Sequence, residues 1–141
     1  MKKTHFLLLA LVIAFSSLAL APKKHFKDGI YKGESQSKYA AEPYWGQVSL
    51  EIKNDTISSF TFLIIDKEKN EVFGPDYEKH FKDNALYVDQ CRHEVKGIKT
   101  YTDAFIKQKN MAQVDAITGA TWSYNLFKDA LNAALEKAYE K

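Results

Sequence analysis

Gln47-Val48-Ser49-Leu50-Glu51-Ile52-Lys53-Asn54-Asp55-Thr56-Ile57-Ser58-Ser59-Phe60-Thr61-Phe62-Leu63-Ile64-Ile65 decides the fold. In its first half Val48, Leu50 and Ile52 alternate with Gln47, Ser49, Glu51 and Lys53. That period of two is the mark of a half-buried strand. Thr56 to Ile65 is β-branched and aromatic, with Phe60, Phe62 and Ile64 on one face. Asn54-Asp55 between them supplies turn chemistry, so the pair reads as an antiparallel hairpin.

Toward the N-terminus, Asp28-Gly29-Ile30-Tyr31-Lys32-Gly33-Glu34 predicts a short strand between glycine bends, and residues 35–43 a polar loop. Residues 22–28 are polar and basic and read as a linker. Toward the C-terminus, Asp66 to Asn70 is a charged bend, and Val72-Phe73 a short extension before Gly74-Pro75. From about Asn84 the period changes. Val88, Cys91, Val95, Ile98, Thr102 and Phe105 recur at steps of three and four, one stripe of an amphipathic helix. Gly97 weakens that helix and is where a break is expected. Ser123 to Tyr139 predicts a second helix that buries Leu126 or Phe127, Ala130, Leu131, Ala134, Leu135 and Ala138. Lys137 and Lys141 fall near its negative end, as the helix dipole favours. Strands followed by helices argue for an α+β domain, an antiparallel sheet covered by helices.

The chain has 141 residues, the size of one domain, and with 13% aromatic residues it is too rich in Phe and Tyr for a disordered tail. Met1-Lys2-Lys3-Thr4, the apolar run Phe6 to Phe15, and Ser16-Ser17-Leu18-Ala19-Leu20-Ala21 form a secretory leader. It is either cut, after Ala19 or Ala21, or kept as an N-terminal anchor. The expected organisation is therefore a leader over 1–21 and one domain over 22–141, exported to a periplasmic or other extracytoplasmic compartment. Without Lys2 and Lys3, 18 basic residues face 18 acidic ones, which leaves no electrostatic footprint for nucleic acid. Cys91 is the single cysteine, so no intramolecular disulfide forms and a small buried apolar role is expected for it. Cys91 and His93 stand two apart on a helix and point in different directions, so no metal site or nucleophile is expected there. No acid–base pair defines a substrate reaction, and no catalytic residue is assigned.

Between the two helices lies Val114-Asp115-Ala116-Ile117-Thr118-Gly119-Ala120-Thr121-Trp122-Ser123. It reads as a turn that opens a helix. Gly119 lets the backbone approach a ligand, and free N–H groups with the positive dipole end favour an anion such as phosphate. The plainer reading is a helix cap, with Thr118 or Thr121 accepting from an early N–H.

Asp115-Ala116-Ile117-Thr118-Gly119-Ala120-Thr121 resembles the flavinylation motif D-x-x-S/T-G-A-T/S of FMN-binding domains. Asp28-Gly29-Ile30-Tyr31-Lys32-Gly33 resembles the opening strand of that family, and Tyr44-Trp45-Gly46-Gln47-Val48 the start of its next strand. Lys99-Thr100-Tyr101 precedes the motif much as in relatives. Such domains occur in the G subunit of Rnf electron-transport complexes, in the C subunit of the sodium-pumping NADH:quinone oxidoreductase, and as small exported proteins. Asp66 to Tyr77 stands where the two complex subunits carry an ETPG-like segment, which favours a stand-alone protein.

The resemblance implies FMN esterified through its phosphate to Thr121, attached by a flavin transferase that uses FAD and magnesium. Thr118, Gly119 and Ala120 would shape the phosphate turn, with Asp115, Trp122 and Ser123 completing the cofactor-binding set. Tyr44, Trp45 and Trp122 are candidate contacts for the ring. The implied role is electron transfer between extracytoplasmic or membrane redox partners rather than independent catalysis. The alternative is an exported module that binds FMN or another phosphate ligand without a covalent bond.

Overall fold

The computed structural model describes residues 25–38 and 41–139; the expected leader lies outside the described residues. No described helix is long and apolar enough to cross a membrane. Four antiparallel strands, β1 (Gly29–Gln36), β2 (Tyr44–Lys53), β3 (Thr56–Asp66) and β4 (Glu71–Val72), form one sheet in the order β1-β2-β3-β4. A 3₁₀ helix (Pro75–Phe81) leads to α1 (Ala85–Gln108), and a turn over 109–120 leads to α2 (Thr121–Ala138). The fold is α+β, as the strand-then-helix order predicts.

The hairpin forms where the alternation places it. Asn54 and Asp55 both take left-handed φ values, 52° and 57°, which short polar residues tolerate in a two-residue turn. Val48, Leu50, Ile52, Ile57, Phe60, Phe62 and Ile64 are all buried on the helix-facing side. β1 continues to Gln36, so the loop after it starts later than the polar composition of 35–43 suggests. The stretch expected as a linker is tied down in its described part. Phe26 bridges to Tyr139 with the two rings stacked at 4.8 Å, and the Lys27 amide donates to Ala138 at 2.9 Å.

α2 lies on the sheet backbone to backbone. A Cβ on Gly33 would stand 2.0 Å from the Ala130 carbonyl oxygen, and one on Gly46 2.8 Å from that of Leu126. Ser35 Oγ uses this approach to donate to the Leu126 carbonyl at 2.7 Å.

α1 corrects two expectations. Asn84 Oδ1 caps it, accepting from the Leu86 and Tyr87 amides, and the helix then runs through Gly97 without a break. Gly97 is there for closeness: a Cβ on it would sit 2.5 Å from the Ala120 methyl. The buried seam is Cys91, Glu94, Gly97, Tyr101 and Phe105, while Val95, Ile98 and Thr102 are half-buried. The apolar stripe borders a groove, and a more polar seam faces the turn before α2.

Candidate functional site

The turn before α2 is held by residues of α1. Tyr101 is fully buried, and its hydroxyl spans the turn, accepting from the Ile117 amide at 3.1 Å and donating to the Ala120 carbonyl at 2.9 Å. Tyr124 donates to the Val114 carbonyl at 2.9 Å. Gly119 sits at φ +83°, in the left-handed region that glycine enters without penalty. Ala120 is buried in the space that Gly97 leaves open. Asp115 is exposed and makes no hydrogen bond or ion pair among the described residues.

The cap of α2 differs from the sequence-based expectation. Its N-cap is Ala120, and neither Thr118 nor Thr121 caps it. The acceptor comes from α1, where Glu94, buried to 3% exposure, takes the Ser123 amide on Oε2 at 2.9 Å. Gln90 Nε2 braces this carboxylate at 2.7 Å and also reaches the Gly119 carbonyl at 3.0 Å. Ser123 Oγ is buried between the Ala120 and Glu94 carbonyls, at 3.1 and 3.4 Å, so it is closed to ligands. Thr118 and Thr121 stay exposed, and Thr121 alone of the two stands on the first turn of α2. Among the described residues the Thr121 and Trp122 amides have no acceptor. An open hydroxyl therefore stands beside free N–H donors at a positive helix end, a suitable place for a phosphate group.

Trp122 divides two clefts. On one side a small one of about 140 Å³ is lined by Lys38, Thr121, Asn125 and Asp129, too tight for a three-ring heterocycle. On the other, a cleft of about 470 Å³ is walled by Trp122, Tyr44, Phe73, Phe81 and Tyr87, with Glu42, Gln90 and Glu94 at its polar points. Its size and its mostly apolar walls suit a planar aromatic ligand. Trp122 is fixed by Nε1 donating to Glu42 at 3.0 Å and to Ser37 at 3.3 Å, and its ring meets Tyr44 and Phe73 at 5.2 Å each. A larger groove, about 710 Å³ along Val95, Ile98 and Val72, touches no residue of the 115–123 segment. Size alone does not select the site.

Of the three aromatic residues expected at a ring, Tyr44 and Trp122 meet in the cleft. Trp45 does not: it lies elsewhere, with Lys67 Nζ 3.5 Å over its ring. Behind Tyr44 stands a buried polar chain. The Tyr44 and Tyr77 hydroxyls are 3.2 Å apart, and Tyr77 donates to Asp66 Oδ2 at 2.5 Å. Asp66 also accepts from the Glu68 and Lys69 amides and from Lys69 Nζ. Burial alone would raise the Asp66 pKa; the bonds from Tyr77 and Lys69 outweigh it and hold it at about 2. Burial and the neighbouring Asp66 carboxylate push the Tyr77 phenol well above its ordinary range. Burial likewise raises the Cys91 thiol, which keeps it a neutral packing residue. His93 is exposed, and a Cβ on Gly119 would stand 3.3 Å from its ring carbon Cδ2. Among the described residues no group of three His, Cys, Asp or Glu is placed to hold a metal ion.

Sequence reasoning missed Glu94, Gln90, Tyr101, Tyr77 and Asp66. Glu94 carried a signal: it stands three residues after Cys91 and three before Gly97, a charged residue on the side that faces the turn.

The sequence model of the FMN-binding domain matches residues 43–136, two thirds of the chain. None of the curated proteins matches the chain. The crystal structure of the CPE2226 protein from Clostridium perfringens is similar in fold. It is 20% identical with a TM-score of 0.55, covering 82% of this chain and 93% of that one. A solution structure from Clostridium thermocellum is 18% identical over 79% of this chain and 91% of that one, with a TM-score of 0.44.

Proposed function

The chain belongs to the FMN-binding domain family, and we propose that it carries FMN covalently on Thr121 as an exported electron-transfer protein. One observation carries the reading. Of the three hydroxyls at the start of α2, Ser123 is closed and Thr121 stands open on the first turn beside two free amides. In the attachment reaction Thr121 Oγ forms a bond to the FMN phosphorus of FAD. The pyrophosphate bond breaks, AMP leaves, and the hydroxyl proton passes to solvent. A flavin transferase supplies FAD and magnesium for that step.

When bound, FMN supplies one- or two-electron chemistry. The residues supply position and environment. The Thr121 and Trp122 amides would donate to phosphate oxygens at the positive helix end. Glu94 and Gln90 keep the turn closed from behind, and Tyr101 fixes its depth. Trp122, Tyr44, Phe73 and Phe81 offer apolar walls that exclude water from a ring. The leader at 1–21 supports export, and the zero net charge of the remainder argues against a nucleic-acid partner.

The test is the intact mass of the exported protein with and without a co-expressed flavin transferase. A gain of about 438 Da, one FMN less water, absent in Thr121→Ala, is expected. No gain, with the transferase active on another target, would overturn the covalent reading. The same spectrum reads the leader cut, because loss of 19 or 21 residues gives distinct masses.

A further inference from the structure

The Tyr44–Tyr77–Asp66 chain has a direction, and it ends on a residue that lines the cleft. An ionised carboxylate only accepts hydrogen bonds, and a phenol has one proton to give. Tyr77 gives its proton to Asp66 at 2.5 Å, and Lys69 with two amides holds Asp66 as the anion. The 3.2 Å bond between the hydroxyls therefore takes its proton from Tyr44. Tyr44 is left with oxygen lone pairs and no proton to offer. Its ring is held edge-on to Phe73, Tyr77 and Trp122, so the oxygen does not swing away. The carboxylates that border the same cleft are engaged, Glu42 by Trp122 and Ser37, and Glu94 by Ser123 and Gln90.

We infer that Tyr44 is a positioning residue for the flavin ring, its phenolic oxygen serving as a fixed hydrogen-bond acceptor in the cleft beside Trp122. The ligand's identity rests on the reading above. An oxidised isoalloxazine carries a single N–H, the imide at N3, so the acceptor selects the orientation that turns this edge toward Tyr44. Polarisation along the chain from Asp66 strengthens the acceptor. A ring that entered the cleft by its dimethylbenzene edge would leave Tyr44 unsatisfied, which disfavours that pose.

Equilibrium dialysis of the unloaded full chain against lumiflavin and 3-methyllumiflavin tests this, since neither has a ribityl chain or phosphate. The protein is expected to bind lumiflavin about five- to tenfold more tightly than its N3-methyl form, the worth of one hydrogen bond. Tyr44→Phe is expected to bind both equally. Tyr77→Phe, which frees the Tyr44 hydroxyl to rotate, is expected to keep lumiflavin binding and lose most of the preference. Equal binding of the two ligands by the wild type, binding of neither, or a preference that survives in Tyr44→Phe would each overturn the inference. The two readings fail separately. A chain that gains no flavin mass yet prefers lumiflavin retains the Tyr44 role without the ester; one that gains mass yet shows no preference retains the ester alone.

Discussion

α1 and α2 cover the same face of the sheet and meet it in different ways. α2 sets Ala130 and Ala134, both fully buried, against Gly33 of β1, and the Leu126 carbonyl against Gly46 of β2, so that backbones touch. α1 meets the sheet through large rings, with Phe105 on Phe60 at 4.7 Å, and its Val95 and Ile98 border an open groove. The motif turn joins the tight helix to the loose one. The difference puts Thr121, the proposed attachment residue, on the tightly packed helix, while the larger cleft draws Tyr87, Gln90 and Glu94 from the helix with room. A site needs both, since a tethered group must be held at one end and accommodated at the other.

The sharpest way to break this contrast is Gly33→Ala. The new methyl would meet the Ala130 carbonyl oxygen at 2.0 Å and the Ala134 nitrogen at 2.5 Å, both backbone atoms that move only with the helix. A loss of about 3 kcal/mol is expected in urea unfolding. A loss under about 0.5 kcal/mol would mean that α2 shifts freely, and the contrast would fail.

Next comes Glu94→Ala, which tests the joint between the helices. It leaves the buried Ser123 amide without an acceptor and frees Gln90, so about 2 kcal/mol is expected to be lost. Glu94→Gln retains an oxygen at the same place and is expected to recover part of the loss. Thermal melts of the two variants read the difference.

On the open side, Asp66 makes stability depend on pH. Its carboxyl titrates at about 2 in the folded chain against 3.8 as the ordinary value, so the unfolded chain binds the proton first as pH falls. The stabilisation is present above about pH 4 and is lost as pH drops through about 2. Full linkage is about 2 kcal/mol, and screening at the partly exposed Lys69 trims it toward about 1 kcal/mol. Asp66→Asn is expected to flatten that part of the pH profile, measured by urea midpoints between pH 4 and 2. An unchanged slope would detach Asp66 from the stability of the cleft wall.

How much of this was legible in the sequence follows from where each signal lives. The β2–β3 hairpin was legible because strand period and turn chemistry are local. The buried face of α2 was legible for the same reason, although its start lies two residues earlier than Ser123. The register of α1 was not, because its buried seam includes Glu94 and Gly97, and apolar periodicity passes over a carboxylate and a glycine. The motif stood out through its resemblance to a family. Its physics alone pointed to a threonine cap, and the true acceptor comes from 29 residues away. The cleft was legible only in part: Tyr44 and Trp122 stood out as candidate ring contacts, whereas Phe73, Phe81 and Tyr87 come from separate segments that only the fold brings to them.

The smallest expected effect on stability is the one that separates function from fold most cleanly. Thr121 is exposed, the cap of α2 passes through Ala120 and Glu94, and the Thr121 side chain makes no cap bond. Thr121→Ala is therefore expected to change stability by less than about 0.5 kcal/mol in the unloaded chain. A threonine that served as the cap would cost about 1 kcal/mol when truncated. A thermal melt distinguishes the two values. A near-neutral melt, together with loss of the flavin mass, would mean that this threonine serves the cofactor and contributes little to the fold. A loss near 1 kcal/mol would return Thr121 to the rigid helix as a structural residue and leave the open hydroxyl without its special standing.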